Sequence, residues 1–159
     1  MNTYLLVQWV HILSSVLLVG TGFGSAFFMF FANRSGSVAA QAVVCKLVVL
    51  ADWWFTTPAG IVQPLSGWLM VHLAGWPWDA PWLMLSIGLY AAAGLCWLPV
   101  VYLQCRMART SAQAVASEQP LPPQYWRDAR HWEWLGYPAF VAMLAIYFLM
   151  VNKPTLWGP

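Results

Sequence analysis

Four long apolar stretches separated by short polar segments organise this chain. The first runs from Tyr4 to Phe31 without a charged residue. Spanning lipid takes roughly 20 apolar residues per helix, and the pattern predicts spans over about 6–31, 48–71, 82–105 and 132–151. The fold expected is an all-α, integral membrane four-helix bundle, a single domain over residues 1–159. The third connection, about 107–129, is the one sizeable loop predicted, and its Gln119-Pro120-Leu121-Pro122-Pro123 stretch should break helix.

Composition agrees. The chain is 61 % hydrophobic and 8 % charged, against about a quarter charged residues in an average soluble domain. A net charge of +2 with no basic patch argues against a nucleic-acid partner. The N-terminus lacks the positive region of a signal peptide and its apolar run is too long for one, so the first helix is expected to be retained. Cys45, Cys96 and Cys105 form no CxxC pair and read as packing residues.

Charge also orients the chain. Arg34 and Lys46 flank the first connection; Arg106, Arg109, Arg127 and Arg130 flank the third. The positive-inside rule puts both in the cytoplasm of a bacterial inner membrane, with both termini and the Leu73–Pro81 turn on the periplasmic side. Tryptophans fit two interfacial belts: Trp9, Trp76, Trp78, Trp82 and Trp157 outside, and Trp53, Trp54, Trp126, Trp132 and Trp134 inside.

Against this background the polar groups at membrane depth stand out, because ionisable side chains there mark functional sites by default. His11 lies inside the first run and His72 closes the second. Counting about 1.5 Å per residue places both in the outer leaflet, while His131 falls at the opposite end. Two facing imidazoles are too few for a closed zinc site but satisfy the iron of a haem b. His11 and His72 are therefore the expected metal ligands. Ser15, Gly22 and Gly24 lie on or beside the His11 face and would admit the macrocycle, and the Gly20-x-x-x-Gly24 seam suits close packing within the bundle or against a second copy. Asp52, expensive in lipid, needs a partner, for which Arg106 or Arg130 is expected. Pro58 and Pro64 should kink the second helix and open space in the bundle.

Several short motifs then fall in a recognisable order: Val10-His11-Ile12-Leu13-Ser14 followed by Gly20 and Gly22, Thr57-Pro58-Ala59, Gly67-Trp68-Leu69, Ala80-Pro81-Trp82-Leu83, Pro138, and Val151-Asn152-Lys153-Pro154. Over nearly its whole length the chain resembles an uncharacterised bacterial family of predicted integral membrane proteins. It is more distantly similar to HemJ-type protoporphyrinogen oxidases and CopD-like membrane domains. The HemJ-type resemblance implies a haem-b-binding oxidoreductase and carries its helix 1 histidine onto His11. Three features of that pattern are replaced here, by Met29-Phe30-Phe31-Ala32, Met84-Leu85-Ser86 and Gly136-Tyr137. The leading functional expectation is a b-type haem protein passing electrons to a redox partner or larger membrane complex. The alternatives are a HemJ-like oxidase, with Asp52 or Arg130 as the catalytic groups near substrate carboxylates, and an accessory subunit or small transporter whose histidines only make hydrogen bonds.

Overall fold

The computed structural model describes residues 2–154, so the Trp157 of the outer belt lies outside the described residues. It is all-helical, with four helices long and apolar enough to cross a membrane: α1 Thr3–Arg34, α2 Val38–Ala74, α3 Pro81–Ala116 and α4 Pro123–Asn152. Each boundary has a local cause. Asn2 caps α1 by accepting the Tyr4 N–H at 3.0 Å, and Ser37 caps α2 by accepting from Ala40. Gly36 (φ +72°) and Gly75 (φ +67°) supply the left-handed turns on either side of α2. Pro81 and Pro123 open α3 and α4, where the missing N–H costs nothing.

The helices are longer than the spans predicted. The expected loop over 107–129 shrinks to the six residues between Ala116 and Pro123. The reason is packing: Met107, Ser111 and Ala114 on α3 and Tyr125, Asp128 and Ala129 on α4 are all buried, so the hairpin continues past the apolar run. The Pro-rich break holds only at its centre.

The chain forms two hairpins, α1 with α2 and α3 with α4. One end of the bundle gathers both termini of the described chain and the 75–80 turn; there Lys153 sits 4.3 Å from the centroid of the Trp76 ring. The other end carries the ion pairs Arg34–Glu133 at 3.5 Å and Arg106–Asp128 at 3.0 Å. Its core is Met29, Cys45, Val48, Met107, Tyr125 and Trp132, among others, so Trp132 is a core residue and not part of a lipid-facing belt. The outward faces are apolar, as a protein in contact with lipid requires; Phe28, Leu95 and Val151 are more than half exposed.

Helix α2 changes partner along its length. Its first half packs mainly on α3 and its second half on α1. The switch falls at a single π-helical turn, Asp52–Thr56, where the Thr57 N–H bonds to the Asp52 carbonyl five residues back. The cause is in the sequence. Pro58 has no N–H for the Trp54 carbonyl, and its ring crowds that carbonyl, so the preceding turn widens.

Pro64 poses the same problem six residues on, with a different solution. It leaves the Gly60 carbonyl without its helical donor. The Tyr90 hydroxyl, reaching across from α3, donates to that carbonyl at 2.7 Å. An aromatic side chain of one helix thus completes the backbone of another, as lipid-embedded prolines require.

Candidate functional site

Two polar clusters lie at membrane depth, one on each half of α2. Gln63 and Asp52 are eleven residues apart, or about 16 Å along the axis.

The first cluster is built around His11. The Gln63 amide donates to His11 Nε2 at 3.0 Å, and His11 Nδ1 lies 2.9 Å from Ser66 Oγ. Ser66 in turn donates to the Val62 carbonyl at 2.7 Å, and Ser14 donates to Gln63 Oε1. One tautomer, with the proton on Nδ1, satisfies this whole network; it is assigned from the hydrogen bonds. Gly67 gives the imidazole its room, since a Cβ there would stand 3.2 Å from His11 Cε1.

His11 and His72 do not meet. His72 lies nine residues beyond Gln63, on the opposite side of α2, and it is exposed beside Trp68, with ring centroids 6.0 Å apart. This corrects the expectation of two facing axial ligands. His11 also has no free lone pair: Nε2 accepts from Gln63, and Nδ1 donates to Ser66. The residues present therefore do not fit a bis-histidine haem b. Among the described residues no group of three or more His, Cys, Asp or Glu side chains is placed to hold a metal.

The other residues assigned to that site fare similarly. Ser15 is buried, donates to the Ile12 carbonyl, and its own carbonyl receives the Tyr147 hydroxyl at 3.1 Å. Cβ atoms at Gly20, Gly22 and Gly24 would meet nothing within 4 Å, so the glycine seam makes no close packing contact inside this bundle.

The second cluster surrounds Asp52. Its carboxyl is buried, at 5 % exposure, and neither expected arginine reaches it. Arg106 is engaged by Asp128 and Arg130 is exposed near the end of the bundle, so Asp52 has no ion-pair partner among the described residues. Among the described residues four buried polar atoms here complete no hydrogen bond of good geometry, Asp52 Oδ2, Thr56 Oγ1, Trp97 Nε1 and Gln104 Oε1, although Thr56, Gln104 and Trp97 all lie against the Asp52 carboxyl. Buried polar groups are paired in all but a few cases, so this loosely paired cluster is the candidate site. Asp52, Trp97 and Gln104 line a cavity of about 170 Å³ between α2 and α3, with Val49, Leu98 and Val101 as apolar walls.

The π turn contributes directly. Asp52 and Thr56 are its first and last residues; Asp52 lines the cavity against α3, and Thr56 lies beside its carboxyl. Such single π turns recur at functional sites.

Sequence reasoning picked out Asp52 but missed Trp97 and Gln104. The signal for Gln104 was present: a neutral amide inside an apolar run is as anomalous as a serine or histidine there. The same applies to Gln63, the true partner of His11. Trp97 carries no such mark, because tryptophan in a membrane helix reads first as an interfacial residue.

The family model described as Predicted integral membrane protein (DUF2269) matches residues 5–154. No curated protein and no solved structure matches the chain. Four membrane-length helices and a match over almost the entire sequence make the assignment plain: this chain belongs to the DUF2269 family of predicted integral membrane proteins.

Proposed function

We propose that this chain is a proton-handling membrane protein, a small carrier whose working group is Asp52. The observation that carries the reading is a buried carboxyl with no basic partner among the described residues, faced only by the neutral side chains of Thr56, Trp97 and Gln104. An isolated carboxylate in low dielectric is too costly to leave uncompensated. With no lysine or arginine bonded to it, its compensating charge comes from outside the chain, as a proton or a small cation. Gln104, Thr56 and Trp97 then act as positioning residues that fix the carboxyl and whatever it holds.

The His11 cluster supports the same reading from the other side. It is saturated with hydrogen bonds and offers no group for exchange, so it serves as the fixed joint between α1 and α2. The bundle end that carries Arg34, Lys46, Arg106, Arg109, Arg127 and Arg130 faces the cytoplasm in this reading, by the same charge rule that orients other membrane chains. Asp52 lies on the half of α2 nearer that end, and both termini face the periplasm of a bacterial inner membrane.

The test is infrared difference spectroscopy of the protein in liposomes across a pH titration, paired with dye-reported proton uptake. A carboxyl C=O band that disappears in Asp52→Asn, with proton uptake lost at least ten-fold, supports the reading. A titration and an uptake rate identical in wild type and Asp52→Asn would overturn it.

A further inference from the structure

The shape of the Asp52 cavity carries the reading one step further, to the kind of molecule that enters it. We propose that the cavity is a side-entry site for the head of a neutral, membrane-dissolved molecule bearing ring hydroxyl or carbonyl oxygens, of the quinol and quinone class. This rests on Asp52 being the working group, but the two ideas fail separately.

Three observations point to that chemistry. The orphan atoms are complementary to an oxygen head and not to a bare ion. Trp97 Nε1 is a donor only and lies against the Asp52 carboxyl without completing a bond to it, while Gln104 Oε1 is an acceptor only and needs a donor. A hydroxyl satisfies both at once, and a cation satisfies only the oxygens. The walls are apolar: Val49, Leu98, Val101 and the Trp53 indole surround the polar floor, and such a lining suits a carbon ring better than a cluster of water. The cavity also opens toward lipid, since Trp53 and Leu98 on its rim are 65 % and 62 % exposed.

Size sets the pose. About 170 Å³ is below the roughly 300–1,000 Å³ of pockets that enclose a whole drug-sized ligand. The site takes a ring head, and an attached hydrocarbon tail stays in the bilayer between α2 and α3. Only binding is proposed: a quinol hydroxyl accepts from Trp97 and donates to Gln104 or Asp52, and a quinone carbonyl accepts from Trp97.

The experiment uses the full chain in lipid nanodiscs and a photoreactive azido-benzoquinone with a decyl tail. Crosslinks are mapped by mass spectrometry. The expected result is labelling confined to residues 49–57 and 97–105, competed by a ten-fold excess of the non-photoreactive decyl-benzoquinone. Trp97→Phe, which removes the donor to a quinone carbonyl, should reduce that labelling at least five-fold, and Gln104→Leu, whose acceptor a quinone cannot use, at most two-fold, with the helical circular dichroism unchanged. Labelling spread evenly over lipid-facing residues such as Phe28 and Leu95, and not competed, would overturn the proposal as simple partitioning into lipid. Wild-type labelling alone decides this if either variant fails to fold. An Asp52 infrared band present without competed labelling sinks the ligand class and leaves the proton reading standing; competed labelling without that band does the reverse.

Discussion

The two halves of α2 handle the same difficulty in opposite ways. Toward the turn end, Gln63 and Ser66 meet His11 and Ser14, and every polar atom in the set finds a partner within the protein. Toward the other end, Asp52, Thr56, Trp97 and Gln104 come together, and among the described residues four of their atoms complete no hydrogen bond of good geometry. Polar residues in an apolar run are therefore not equivalent evidence of function. The one that looked most informative in the sequence, His11, is the one the fold consumes as structure. A saturated cluster is a joint, and an unsaturated one is a socket.

The sharpest way to break this comparison is functional. Asp52→Asn should abolish proton uptake while the helical content stays constant, and His11→Gln should leave uptake within two-fold of wild type. Equal losses in both would erase the distinction between joint and socket. Next in size is a pair of stability changes of opposite sign, read by reversible unfolding in mixed micelles. Gln63→Leu strands His11 Nε2, while the Ser14 hydroxyl keeps its bond to the His11 carbonyl, and should cost about 2 kcal/mol. Gln104→Leu removes an orphan acceptor and should be neutral or stabilising by up to about 1 kcal/mol. Gly67→Ala crowds the imidazole from 3.2 Å, and a cost of about 1 kcal/mol is expected. The smallest effect is Tyr90→Phe, which frees the Gly60 carbonyl at a cost of roughly 0.6 kcal/mol, the average for interhelical hydrogen bonds in lipid. In a Pro64→Ala background that cost should vanish, because residue 64 regains the N–H that Tyr90 replaces.

Much of the architecture was legible in the chain because it rests on length and hydropathy alone. The four spans, Pro81 at the start of the third and the order of family motifs needed no tertiary information. The helix ends were less legible. Ser111 and Tyr125 look like loop residues in a list, yet each is completely buried once α3 and α4 pack beyond the apolar run. The site was legible only in part. Depth counting placed His11 and His72 in one leaflet, but depth carries no angular information, and nine residues separate Gln63 from His72 by half a turn of the helix. The π turn adds a shift in facing that straight helical spacing does not contain. Asp52 was found because a carboxylate in lipid is costly wherever it points, whereas Trp97 and Gln104 acquire meaning only through each other.

The bond from Tyr90 to the Gly60 carbonyl also constrains the order in which this sequence can change. Replacing Pro64 first restores a backbone donor and leaves Tyr90 redundant, after which Tyr90 is free to drift. Replacing Tyr90 first takes from the Gly60 carbonyl the side-chain donor that stands in for the missing N–H. Two residues on different helices are thereby tied into a one-way sequence of steps. Descendants of this chain lacking the proline but keeping the tyrosine should outnumber those with the reverse combination.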